Sequence, residues 1–126
     1  MRIFKNRDFK KWSAKEGIND ITLVQAVNEM ERGLIDAALG GHVFKKRVAL
    51  KGRGKSGGVR TLLAYKLDDK AFFIYGFAKN TQANISDREL KVLKRYAKEL
   101  FGYNDDSLEL AKENYVLIEV EAEDND

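Results

Sequence analysis

Apolar positions along the chain fall first into a helical period and then into an alternating one. After Arg2-Ile-Phe-Lys5, read as an edge strand, Asn6 or Asp8 can cap a helix that turns Phe9, Trp12 and Ile18 inward, with Gly17 ending or bending it. Asn19 or Asp20 can start a second helix. Ile21, Val24, Val27 and Met30 recur there at helical spacing, Leu23 and Leu34 widen the stripe, and Gly33 stands where a C-terminal glycine belongs. Such a stripe is a core face rather than a binding box. Residues 34–39 are ambiguous, and Gly40-Gly41 marks a turn.

The period then changes to two. Residues 42–50 read as a strand with His42, Phe44, Lys46, Val48 and Leu50 on one parity and Val43, Lys45, Arg47 and Ala49 on the other. The mixed charge implies one wet face or an edge position. Residues 59–66 and 70–79 read as two further strands joined at Leu67-Asp-Asp-Lys70. With Asp68 and Asp69 as the loop, Leu67 faces Lys70, and the pairs run Tyr65–Phe72, Leu63–Ile74, Leu62–Tyr75 and Arg60–Phe77. One face then gathers Arg60, Leu62, Tyr75, Phe77 and Lys79. The other holds Val59, Leu63, Tyr65, Phe72, Ile74 and Ala78, the expected main core. A slip of one residue would destroy this arrangement.

Ser86-Asp-Arg-Glu89 is a capping box. The helix it opens runs to about Phe101, with Leu90, Leu93, Ala97 and Leu100 on one side, Lys91, Lys94, Arg95 and Lys98 around the rest, and Gly102 as its stop. Four cations so placed are more often a solvated face than a nucleic-acid site. A helical turn over 107–113 and a strand over 115–120 complete the order. The sum is one α+β domain over residues 1–126, without repeat or linker.

Bulk composition narrows the class. The 126 residues are 44% hydrophobic, enough for one folded core. The absence of Cys excludes disulfides and thiol chemistry. No apolar run reaches transmembrane length and no signal-peptide pattern is seen, so the expectation is a cytoplasmic protein without membrane contact. The net charge of +3 hides an asymmetry: residues 104–126 carry nine acids and one base, leaving a net of +11 for residues 1–103. A basic body of this kind points to a polyanion partner, and the acidic end, about 121–126, reads as a solvated tail.

The basic charge is densest in Lys51-Gly-Arg-Gly-Lys-Ser-Gly-Gly-Val-Arg60, with four glycines and four cations. Glycines let backbone approach a ligand closely, and Lys and Arg supply charge for phosphate; the plain alternative is a solvated turn between strands. Gly54-Lys55-Ser56 is not a nucleotide-binding P-loop, because that motif needs a glycine where Ala49 stands and a helix after the Ser.

Classical hydrolase constellations are missing. The lone histidine, His42, has no visible triad or metal partner, and no cofactor is implied. What remains is Lys51, Arg53, Lys55, Arg60 and Lys79 with Tyr75 and Phe77 beside them. That set suits attack of an RNA 2′-hydroxyl on its adjacent phosphate. Arg clamps the developing charge, a Lys whose pKa is lowered by neighbouring cations moves protons, and aromatics stack a splayed base. The same residues also describe a passive RNA-binding surface.

Gly54-Lys-Ser-Gly-Gly-Val-Arg60, Phe73, Tyr75-Gly-Phe-Ala-Lys79 and Asn84-Ile-Ser86 ahead of a helix resemble the RelE/ParE toxin superfamily, most of all its HigB-like branch. The motif block covers about residues 43–100. The resemblance implies an N-terminal strand and two helices on an antiparallel sheet, then a further helix and a short last strand. It implies a toxin held by a cognate antitoxin, itself a helix-turn-helix DNA-binding protein, and cleavage of mRNA on the ribosome without metal. Carried over by position, Arg60 clamps the scissile phosphate, Lys55 transfers the proton with Arg53 and Lys51 helping, and Lys79 stabilises charge or protonates the leaving oxygen. Relatives that place a catalytic Tyr or His after the last helix have no aligned counterpart in Tyr103 or Tyr115. The same superfamily also offers a gyrase-inhibiting, non-nuclease alternative.

Overall fold

The computed structural model describes residues 1–50, 54–78 and 85–121, and for residues 54–57 the backbone alone. Among the described residues ten elements follow in order: β1 (Arg2–Asn6), α1 (Arg7–Glu16), α2 (Asp20–Glu31), β2 (Ala37–Gly40), β3 (Val43–Leu50), β4 (Gly54–Tyr65), β5 (Lys70–Ala78), α3 (Asp87–Phe101), α4 (Asp105–Glu113) and β6 (Leu117–Glu119). The α+β expectation holds, with a fourth helix where a single turn was expected.

Local chemistry sets the helix ends. Asn6, Asn19, Ser86 and Asn104 each accept a backbone N–H of the first turn, and Ser86 with Glu89 forms the full capping box. Gly17 takes a left-handed conformation, φ 76°, and stops α1. In α2 the buried stripe is Leu23, Ala26, Val27 and Met30. Ile21 and Leu34, both expected inside, are half exposed: Ile21 lies in the first turn and Leu34 beyond the helix end.

The strands form one sheet in the order β2-β3-β4-β5-β1-β6. Neighbours are antiparallel except β1 and β5, which run parallel. β1 is therefore no edge strand, and both its faces are covered: successive residues Ile3 and Phe4 are buried in opposite cores. β3 is likewise flanked, because the ambiguous stretch forms β2 outside it. Mixed charge is no sign of water on the parity that carries Phe44, Val48 and Leu50: Lys46 there is buried, its ammonium donating to Glu29 Oε1 at 2.7 Å and to the Leu34 carbonyl at 3.0 Å.

Two cores sandwich the sheet. Helices α1 and α2 cover a face built on Val48, Val59, Leu63, Tyr65 and Phe73. Helices α3 and α4 cover the other, built on Phe4, Val43, Leu62, Phe72, Ile74 and Phe77. Phe72 and Ile74 thus lie on the face opposite to the one expected, and the cause is in the hairpin. The Lys66 N–H donates to the Lys70 carbonyl, so Lys66 rather than Leu67 faces Lys70 and the turn has three residues, with Asp68 at φ 61°. Next to the turn the register is slipped by one from expectation: Tyr65 opposes Ala71 and Leu63 opposes Phe73. A bulge at Ile74 absorbs the extra residue, so that Leu62 opposes Tyr75 and Arg60 opposes Phe77 as expected. Gly76, beyond the bulge, lies against the Trp12 ring, where a Cβ would sit 2.3 Å from the nearest ring atom.

The acidic C-terminal part is folded rather than a free tail up to Val120. Arg2 donates to Glu119 at 2.9 Å and to Glu109 at 3.0 Å, and Lys112 donates to Glu119 at 2.8 Å. These bonds, from Arg2 first, hold the Glu119 carboxyl down at about 2. Tyr115, expected in the last strand, precedes it with φ 57°. Residues 122–126 lie outside the described residues.

Candidate nucleic-acid interface

Alternation along β4 turns Arg60 and Leu62 toward the α3 side of the sheet and Val59, Thr61 and Leu63 toward the other. Arg60 stands in register between Arg47 of β3 and Phe77 of β5. One of its guanidinium nitrogens, Nη1, is buried and has no hydrogen-bond partner among the described residues. A buried donor left this way costs roughly 1–3 kcal/mol, more when charged, which an incoming acceptor would recover. Arg47 is partly engaged: its amide and Nε both donate to the Asp36 carboxylate, the latter at 3.2 Å.

The glycine segment is not the free loop expected from sequence. Residues 54–58 belong to β4, paired irregularly with the end of β3: Val48 opposes Val59, whereas Leu50 opposes Gly54. Gly58 is the tight point, because a Cβ there would lie 2.0 Å from the Val48 carbonyl oxygen. Only glycine permits this approach. The backbone of Lys55 is carried on this irregular strand. Lys51, Arg53 and Lys79 lie outside the described residues.

The two aromatics separate. Phe77 is 6% exposed and belongs to the core under α3, so it is not an open stacking surface. Tyr75 is half buried, 5.9 Å from the Phe77 ring centre, and lines an open cleft of about 280 Å³ with Ile85, Arg88, Glu89, Val92 and Leu93. The bulge at Ile74 sets the position of Tyr75. The cleft wall comes from the first turns of α3, fixed by the Ser86–Glu89 box.

Sequence reasoning missed Arg47 and Arg88. Arg47 could have been found by pairing β3 with β4, since antiparallel register sets it opposite Arg60. Arg88 carries no signal beyond its place inside the capping box. His42 does not join this site. Its carbonyl accepts the Tyr65 N–H, at the end of β4 remote from Arg60. Tyr103 packs against the α3 core and Tyr115 is 70% exposed. Among the described residues no three His, Asp or Glu side chains group to hold a metal, and no helix is long and apolar enough to cross a membrane.

A family model described as the RelE toxin of the RelE/RelB toxin–antitoxin system matches residues 1–120. A search of curated proteins gave no match.

Proposed function

The chain belongs to the RelE toxin family, toxins of toxin–antitoxin systems that pair with a cognate antitoxin, and from that premise we propose that it is a ribosome-dependent mRNA endoribonuclease. The observation that carries this reading is Arg60, whose buried guanidinium nitrogen has no acceptor among the described residues, in register opposite Phe77, the ring next to Tyr75. The scissile phosphate supplies the missing acceptor, and a flanking base enters the cleft against Tyr75. The RNA 2′-oxygen attacks its own 3′-phosphate and gives its proton to Lys55. Arg60 binds the equatorial oxygens as negative charge grows on phosphorus. The 5′-oxygen leaves with a proton from Lys79, yielding a 2′,3′-cyclic phosphate and a 5′-hydroxyl. Lys51 and Arg53 hold the strand by its phosphates. The chemistry needs no metal because cations take the role of charge stabiliser. The protein acts in the cytoplasm, where its substrate is, and its antitoxin is a helix-turn-helix DNA-binding protein that covers this basic face.

Induced expression of the wild type and of Arg60→Ala, with primer extension on a reporter mRNA, tests the proposal. Cuts within codons from the wild type, and a loss of at least about 100-fold in Arg60→Ala, are expected, the scale for removing one donor from a transition-state anion site. Growth arrest with intact mRNA and damaged DNA would replace the nuclease by a gyrase inhibitor. Neither arrest nor cutting would leave a passive RNA-binding module.

A further inference from the structure

At the end of α3 remote from Arg60 lies a second open cleft, of about 410 Å³, lined by Gly41, His42, Lys66, Lys94, Lys98, Phe101 and Gly102. Its lining holds three lysines, one histidine and no carboxylate. Elsewhere Lys5, Lys46, Lys70 and Lys112 have carboxylate partners, but none of Lys66, Lys94 and Lys98 has one among the described residues. Phe101 forms the floor: Lys66 Nζ stands 5.0 Å from its ring centre, and the His42 ring meets the same phenyl edge-on at 5.8 Å. The turn is shaped to admit Lys94. Gly40 and Gly41 have φ of 91° and 60°, and a Cβ on Gly41 would come within 2.9 Å of the Lys94 stem. A solvated lysine face needs no such fit.

Geometry connects this cleft to the first site. Lys91, Lys94 and Lys98 recur at helical spacing along α3, with Arg95 beside them and Arg88 at its start in the Tyr75 cleft. From Arg88 to Lys98 the helix covers about 15 Å, and from Arg60 to Lys66 the strand beneath covers about 20 Å. Lysines act as mobile point charges rather than bidentate forks, which suits phosphodiesters held without regard to sequence.

We propose that the Lys66–Lys94–Lys98 cleft is a distal phosphate site, which grips the backbone of the same RNA strand whose scissile phosphate sits at Arg60. The inference rests on the endonuclease reading for the identity of that strand. It also adds a second point of attachment that fixes how much RNA the toxin covers.

The test compares the wild type, Lys94→Gln/Lys98→Gln and Arg60→Ala in anisotropy titrations with a fluorescent dinucleotide and dodecanucleotide over a salt series. Each lost phosphate contact lowers the slope of log K against log salt by about 0.7 for single strands. The double lysine variant should therefore lose roughly 0.7–1.4 of slope with the dodecanucleotide and nothing with the dinucleotide, at unchanged Tm. Arg60→Ala should weaken both. Equal slopes for wild type and lysine variant on the dodecanucleotide would overturn the distal site. So would a saturable shift of the His42 ring resonances with inorganic phosphate that needs the lysines while the RNA slope does not, since the ligand would then be a free phosphorylated molecule. Failure of the endonuclease reading is separate: it shows as uncut mRNA and does not alter these slopes.

Discussion

The Lys46–Glu29 pair gives a stability prediction with a marked asymmetry. The Lys46 side chain is 4% exposed and that of Glu29 24%, and their N–O distance is 2.7 Å. Glu29→Ala leaves the ammonium buried with one acceptor among the described residues, the Leu34 carbonyl at 3.0 Å. Breaking a buried pair from one side costs about 3–5 kcal/mol. The opening left beside Glu29 admits water, so about 2–4 kcal/mol is expected here. Lys46→Met has a different balance: it removes the buried charge, keeps most of the stem volume, and leaves a carboxylate that already touches solvent. Its cost should be below about 1 kcal/mol, because a hydrophobic residue of similar volume often replaces a buried ion at little loss. The double variant Lys46→Met/Glu29→Gln should sit near Lys46→Met alone. Urea denaturation at neutral pH measures all three, with a Tm change of roughly 3–5 °C per kcal/mol as a second reading. Equal costs for the two single variants, or a cost of Glu29→Ala under 1 kcal/mol, would refute the claim that burial of Lys46 decides the balance.

Acid should weaken the fold through the Arg2–Glu119–Lys112 cluster. Glu119 has its pKa lowered to about 2 in the folded chain, so its contribution is complete above the unfolded carboxylate value near 4.5 and is lost as pH falls toward 2. After allowance for the partly exposed Arg2, that contribution is about 2 kcal/mol, and Glu119→Gln should flatten the stability–pH curve between pH 5 and 2 as followed by urea midpoints. Phe77→Ala should cost about 3–5 kcal/mol of stability as a core truncation. Tyr75→Ala should leave Tm within a few degrees yet weaken RNA binding by about 1–3 kcal/mol if a base stacks there, which titration of the Arg60-containing protein with oligonucleotides checks.

What was legible in the chain was what is encoded locally. The caps Asn6, Asn19 and Ser86 and the stops Gly17 and Gly33 act within a few residues of themselves, so they could be placed without knowledge of the fold. The sheet order was not legible: nothing in Arg2-Ile-Phe-Lys5 tells that it will be flanked by β5 and β6. Both faces of β1 being apolar in alternate cores was available as a hint, since an edge strand with one wet face would not spend Ile3 and Phe4 on opposite sides. Lys46 misled for the converse reason, as a cation signals water until its carboxylate partner is known.

The hairpin shows how two cross-strand pairs can be placed correctly when the pairing next to them is wrong. A two-residue turn with a regular ladder and a three-residue turn with one bulge place Arg60 opposite Phe77 alike. They differ only between the turn and Ile74, where Phe72 and Ile74 exchange sides. The bulge also explains why Tyr75 opens onto a cleft. It sets Ile74 and Tyr75 toward the same core, and only one of them can occupy its interior: Ile74 is 4% exposed, and Tyr75 is displaced toward the rim beside α3. The irregularity that spoils the sequence-based ladder is therefore what brings the tyrosine to the rim of the sheet face that Arg60 shares. A second irregularity at Val48–Leu50, where Gly58 passes against the β3 backbone, acts on the other side of Arg60. Arg60 thus lies on a regular stretch between two disturbed ones. A fixed register there is what the proposed phosphate clamp at Arg60 would need.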